Sequence, residues 1–274
     1  DTLERHAHAA FHSFLGSTLN EWNYYTKATD YGSGANAVAE FEKAIELDPE
    51  VQGFRYNYGK CLQDMGKYRL AIEQYLKANE LVSNDADSMC RIGQCYENLA
   101  DAENATKYFM QAADAADVSD TSDLYTIGEC GDYFDRIKDL QRADKYFHKV
   151  TETEDKEFKG KAYLLYISFL EFHLKDYHRA KIYYRKLMDL DSKPNESVYH
   201  MYGVFLRKRT KDYTKALDIY QTLLEIDPVN AQYWLELADC YGMLMDIDNA
   251  RKCYLKSIEI DNDTSATPCI WYAQ

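Results

Sequence analysis

A small residue followed four places later by an aromatic recurs seven times, and this spacing limits the fold more than any other feature of the chain. The pairs are Ala37/Phe41, Ala71/Tyr75, Ala105/Phe109, Ala143/Phe147, Ala180/Tyr184, Ala216/Tyr220 and Ala250/Tyr254, with successive alanines 34, 34, 38, 37, 36 and 34 residues apart. Three places after each aromatic comes another small or aliphatic residue: Ala44, Ala78, Ala112, Val150, Leu187, Leu223 and Ser257. Offsets of 0, 4 and 7 share one face of a helix. In six units a second small residue lies twelve to fifteen places upstream of the alanine: Gly59, Gly93, Gly128, Ser168, Gly203 and Ala238. It predicts a first helix that admits the second at close range. Pro49 and Pro228 fall just past second helices, where proline cannot continue a helix. Each unit is therefore a helix–turn–helix of about 34 residues that must stack on its neighbours to bury its apolar face.

Composition agrees. With 12 Gly and 4 Pro there is little turn chemistry for a many-stranded β fold. An apolar share of 46% and a charged share of 28% exclude wholesale disorder. The longest apolar stretch, Tyr163 to Leu170, is too short to cross a bilayer. Seven cysteines without disulfide-type spacing predict a reducing location, cytoplasmic or nuclear. The start at Asp1 without Met, and the stop at Gln274, predict a piece of a longer chain.

The last unit carries Trp234, Leu237, Ala238, Tyr241, Ala250, Tyr254 and Ser257; the second carries Tyr58, Gly59, Leu62, Ala71, Tyr75 and Ala78. This pattern resembles the tetratricopeptide repeat, in seven units over residues 18–264. The resemblance implies an all-α, right-handed α-solenoid whose first helices line the concave face. Residues 1–17 are expected to be a cap or the last helix of a preceding repeat, and 265–274 to begin an eighth first helix around Ile270 and Trp271. Gly131 and Glu171 stand where the pattern has Tyr in units four and five.

Catalytic chemistry finds no foothold. Cys61, Cys95, Cys130 and Cys240 each follow the first-helix small residue by two places, and a recurrent position in a repeat is a packing position. His8 and His12 are spaced for a metal but lack a third ligand in the sequence. Gly32-Ser33-Gly34 has neither the strand nor the following Gly-Lys-Ser/Thr of a phosphate loop. No catalytic residue, metal site or cofactor is expected, and the chain is not read as an enzyme. Chaperone-tail binders of the resembled family use a carboxylate clamp. Here Asn57 and Arg91 match it, whereas Trp22, Thr26 and Asp87 do not, so binding of acidic chaperone tails is disfavoured.

Charge and groove composition point to protein partners. Residues 156–215 hold 14 Lys/Arg against 7 Asp/Glu in a chain of net charge −14. The resemblance places Tyr56 and Tyr125 on a polar inner face in units two to four. In units five and six it places Leu165, Phe169, Phe172, His200 and Val204 there, with Arg207 and Lys208 at the rim. Such a stripe suits an amphipathic helix or extended segment, unless the chain folds over it. The expected function is a non-catalytic scaffold binding protein partners in a larger assembly, with no membrane insertion. One alternative is an arm of a nuclear transcription or RNA-processing complex, its basic strip near nucleic acid although direct nucleic-acid binding is disfavoured. The other is the substrate-selecting part of a longer enzyme.

Overall fold

The computed structural model describes residues 2–26, 31–190 and 195–261; the expected eighth helix lies outside them. Every regular element among the described residues is helical. Unit one pairs α1 (Thr2–Thr26) with α2 (Tyr31–Leu47), unit two α3 (Gln52–Asp64) with α4 (Tyr68–Leu81), and unit three α5 (Ala86–Asn98) with α6 (Ala102–Ala115). Unit four pairs α7 (Thr121–Arg136) with α8 (Leu140–Val150). Unit five joins α9 (Lys156–Phe169) to α10 (Tyr177–Met188), and unit six α11 (Glu196–Phe205) to α12 (Tyr213–Ile226). In these two the first helix ends in a π-helical turn, Leu170–Leu174 and Leu206–Thr210. Unit seven pairs α13 (Ala231–Met243) with α14 (Ile247–Asp261). The chain forms two compact bodies, residues 1–159 and 160–274. Within each, helices pair inside a unit, and the second helix of one unit packs on the first helix of the next.

Helix pairs are held at one recurrent contact. A Cβ added to Gly59 would sit 2.8 Å from the Tyr75 ring, and on Gly93, 3.0 Å from Phe109. The same contact joins Gly203 to Tyr220 at 3.0 Å and Gly16 to Phe41 at 3.0 Å. Gly16 lies before the expected boundary at 17/18, and α1 runs through that boundary unbroken. In unit four the contact is made by Gly131, 2.8 Å from Phe147 and three residues beyond the expected Gly128. Gly131 is therefore the small residue of its unit, and Phe134 occupies the place expected of Tyr. Cys130 then falls one residue before the contact, level with Ile92, and not at the shared position of Cys61, Cys95 and Cys240. All four thiols are buried.

Turns between paired helices share one construction. The residue before the second helix's N-cap has positive φ: Gly66, Ala100, Lys138, Lys175, Lys211 and Met245. Asp101, Asp139, Asp176 and Asp212 then cap the second helix by accepting the backbone N–H three residues on. In units two, three, four and seven the cap N–H reaches back five residues, as in Lys67 to the Leu62 carbonyl at 2.8 Å. In units five and six it reaches back six, Asp176 to Leu170 at 2.9 Å and Asp212 to Leu206 at 3.0 Å. The π-turn absorbs the extra residue.

That one residue moves the register of unit five. Three residues before the accepting carbonyl stands the contact position, which is Ile167 and not Ser168. Ile167 is buried and Ser168 is exposed. Two residues after the contact lie Cys61, Cys95, Tyr133, Phe169, Phe205 and Cys240, all buried. Phe169 is thus a core residue of its repeat.

Register can be tested by stability. Gly131→Ala should cost about 1–3 kcal/mol through overpacking, after any gain from helix propensity. Ile167→Ala should cost about 2–4 kcal/mol, and Ser168→Ala less than about 0.5 kcal/mol. Urea denaturation followed by circular dichroism reads all three, and a larger loss at Ser168 than at Ile167 would contradict the π-turn register.

Candidate interaction face of the first helices

First helices of neighbouring units lie side by side, α1 by α3 and α5 by α7. In the 1–159 body their polar side chains join from unit to unit. Gln63 Nε2 donates to Gln94 Oε1 at 3.2 Å, and Gln94 Nε2 donates to Glu129 Oε2 at 3.1 Å. Arg91 donates to the Tyr56 hydroxyl at 3.3 Å and to Gln94 at 3.2 Å, and pairs with Asp87 at 3.5 Å. Burial first, and then the hydrogen bond with Asp87, raise the Tyr56 phenol above its ordinary value, so it stays neutral. Arg136 of α7 makes a two-oxygen contact with Glu97 of α5, its shortest bond 2.8 Å. Tyr125 is 59% exposed, its ring edge-on to Phe158. The clamp candidate Arg91 is therefore tied to its own neighbours; the side chains of Trp22 and Thr26 lie outside the described residues.

The 160–274 body separates the candidates expected in units five and six. Phe169 is 4% exposed, whereas Leu165 is 37% and Phe172 58% exposed. Met201, which the sequence reading passed over, is exposed as well. Val204 and His200 are half-buried, the His200 ring 5.5 Å from that of Tyr233. Lys208 is exposed. Arg207 is not a rim residue: it lies 2.5 Å from Glu236 and 3.3 Å from Asp239, bridging units six and seven. The Tyr220 and Tyr254 hydroxyls complete this group by donating to Glu236 at 3.4 Å and Asp239 at 2.7 Å. Glu171 is buried and accepts from the Tyr184 hydroxyl at 2.6 Å. Arg209 Nε stands 3.6 Å from that carboxylate, and its guanidinium covers the Phe172 ring at 4.8 Å. Arg209 thereby links the first helices of units five and six.

The remaining polar candidates are engaged locally. His12 pairs with Glu40, and His6 with Asp48 at 2.6 Å. No group of three or more His, Cys, Asp or Glu among the described residues is arranged to hold a metal. All six described cysteines are free and buried. Burial pushes the Cys61 thiol up to about 11 and those of Cys95 and Cys240 to about 12, so their thiolates are scarce near neutral pH. No helix among the described residues is long and apolar enough to cross a membrane.

Stability measurements distinguish these environments. Phe169→Ala should cost about 3–5 kcal/mol as a core truncation. Arg207→Ala should cost on the order of 3 kcal/mol, because Glu236 is left inside without its cation. Phe172→Ala should stay within about 1 kcal/mol, the value of an exposed cation–π contact. Equal losses at Phe169 and Phe172 in urea denaturation would show that the stripe is one continuous core.

Comparison with known proteins fits this architecture. The family model described as "Tetratricopeptide repeat" matches residues 53–84, 86–117, 167–194, 196–230 and 231–264, together more than half of the chain. A curated relative, the TPR repeat-containing thioredoxin TTL4 of Arabidopsis thaliana, is 29% identical over 96 residues. That match takes in 35% of this chain and only 14% of the relative's length. Among solved structures, the C-terminal part of a TPR repeat-containing protein from Cytophaga hutchinsonii superimposes with a TM-score of 0.55 at 19% identity, over 95% of this chain and 97% of that one. Pseudomonas aeruginosa pilF gives 0.49 at 19% identity, over 82% and 96%. The helix–turn–helix units, their glycine–aromatic contacts and the family match over five of them establish that the chain belongs to the tetratricopeptide-repeat family.

Proposed function

We propose that the chain is a non-catalytic protein-interaction scaffold that receives a partner's helix or extended segment on the first-helix face of units five and six. The observation that carries this reading is the exposure of Leu165, Phe172 and Met201 beside Lys208 and Arg209. Large apolar side chains there are costly in water and are recovered by a partner. Lys208 at their margin favours a partner with a carboxylate next to its apolar anchors. Phe169 and Arg207 support the face from beneath, and the Tyr125 region of the other body is a polar, aromatic contact surface of the same general kind.

A second reading has one observation behind it. The curated relative carries the name thioredoxin and is much longer than the region matched. The repeats would then select substrates for a catalytic domain elsewhere in a longer chain. A full reading frame bearing a catalytic motif decides for it.

Crosslink-mapped pulldown, followed by titration of the recovered partner, tests the scaffold reading. Phe172→Ala combined with Met201→Ala should weaken that partner by about 2 kcal/mol or more, roughly thirtyfold. Lys208→Ala should mainly change the association rate and its salt dependence. Crosslinks elsewhere, with unchanged affinity in the double variant, would remove the face from consideration.

A further inference from the structure

The second helices of units five and six bring two lysines onto one carboxylate, with an arginine beside them. Lys181 of α10 places Nζ 2.8 Å from Asp212 Oδ2, and Lys215 of α12 places Nζ 3.1 Å from the same oxygen. Arg185 lies one turn beyond Lys181 on the same helix face, exposed, and close enough to Tyr202 and Lys215 for its charge to act on both. The second Asp212 oxygen is already used, accepting the Lys215 backbone N–H at 3.4 Å as the cap of α12. Partial burial alone would raise the Asp212 carboxyl; the hydrogen bonds from Lys181 and Lys215 outweigh it and hold the group below its ordinary value. One anion with both oxygens committed therefore holds two lysines, and Arg185 beside Lys215 is left without a share of it. Lys186 extends the positive surface from the same helix, its ammonium 4.4 Å from the centre of the Tyr183 ring. Lys211 adds another charge directly before the cap.

We propose that Lys181, Arg185 and Lys215 form a docking site for an acidic protein segment, separate from the first-helix face. Carboxylates of such a segment would offset the two surplus charges and relieve the repulsion between Arg185 and Lys215. The charge distribution selects a short acidic segment over nucleic acid. Residues 160–274 are almost balanced, with 15 Lys/Arg against 16 Asp/Glu, but residues 1–159 hold 17 against 30. A long polyanion needs an extended basic surface, which the nearly balanced 160–274 body does not supply, whereas a segment of a few residues engages the cluster alone.

The test is fluorescence anisotropy with a labelled hexaglutamate peptide at low salt, with circular dichroism to verify folding. The wild-type chain should bind it, and added NaCl should weaken binding. The triple variant Lys181→Ala/Arg185→Ala/Lys215→Ala should lose at least about tenfold in affinity. A control triple, Arg251→Ala/Lys252→Ala/Lys256→Ala on α14, removes the same formal charge and should retain binding. Phe172→Ala should retain it too, which separates this site from the first-helix face. Absence of binding, equal losses in the two triples, or a loss in Phe172→Ala would overturn the proposal. Tighter binding of a single-stranded oligonucleotide with six phosphates would overturn the choice of a protein ligand.

Discussion

The face of an aromatic ring on the second helix rests against the backbone of the first, and the other contacts of a unit are arranged around that approach. The ring occupies the volume a Cβ would need at Gly59, Gly93, Gly131 or Gly203. Ala71, Ala105, Ala143 and Ala216 lie one turn before the rings and are fully buried, which keeps the helices close along their length. Close approach also gives tyrosine a use that phenylalanine lacks. From the contact position the hydroxyls of Tyr75, Tyr184 and Tyr254 reach acceptors on their own unit's first helix: Gln63 at 2.8 Å, Glu171 at 2.6 Å and Asp239 at 2.7 Å. Tyr220 reaches one unit further, to Glu236. Part of the unusual tyrosine count (25) is explained by this role, since each hydroxyl carried into the helix interface by its ring finds an acceptor there.

A single extra residue before the turn sets units five and six apart from the other repeats. A helix gains about 100° of rotation per residue, so an inserted residue before the turn would carry every upstream side chain to a new face. The π-turns of units five and six take up the insertion locally, and the glycine–aromatic contact survives at Gly203. In unit five the outcome is Ile167 at the contact and Phe169 in the core, with Phe172 carried outward within the π-turn. Exposure of Phe172 and burial of Phe169 are one event seen at two residues.

Seven alanine–aromatic pairs made the repeat legible because they are identities at fixed helical spacing. The first-helix contact is less legible, since any nearby small residue fits the spacing, as Gly128 does where Gly131 serves. The needed signal was present. Asp101, Asp139, Asp176, Asp212 and Asp246 each precede the second-helix alanine by four residues, and counting back eight from that cap gives Gly93, Gly131 and Ala238. The same count fails for Ser168, because the π-turn leaves no mark in local propensity and appears only in the backbone bond from Asp176 to Leu170. Nor could spacing reveal that Arg207 pairs with Glu236, 29 residues away in sequence on the next first helix.

Charge counting along the chain overstates the basic strip for the same reason. Within the run Arg207-Lys208-Arg209, one cation lies between units six and seven and another covers Phe172 while facing Glu171. Only Lys208 is left to a partner without rearrangement. Arg179 is likewise absorbed by Asp176 at 2.7 Å. Cations held in such pairs contribute to register more than to attraction, because their field is largely cancelled within a few ångströms. The surplus that persists is found where Lys181 and Lys215 share Asp212 and Arg185 stands beside them. A repeat protein whose stability depends on nearest-neighbour contacts thus uses most of its paired charge to hold its units in line, and leaves its uncancelled charge and exposed aromatic surface at separate places on units five and six.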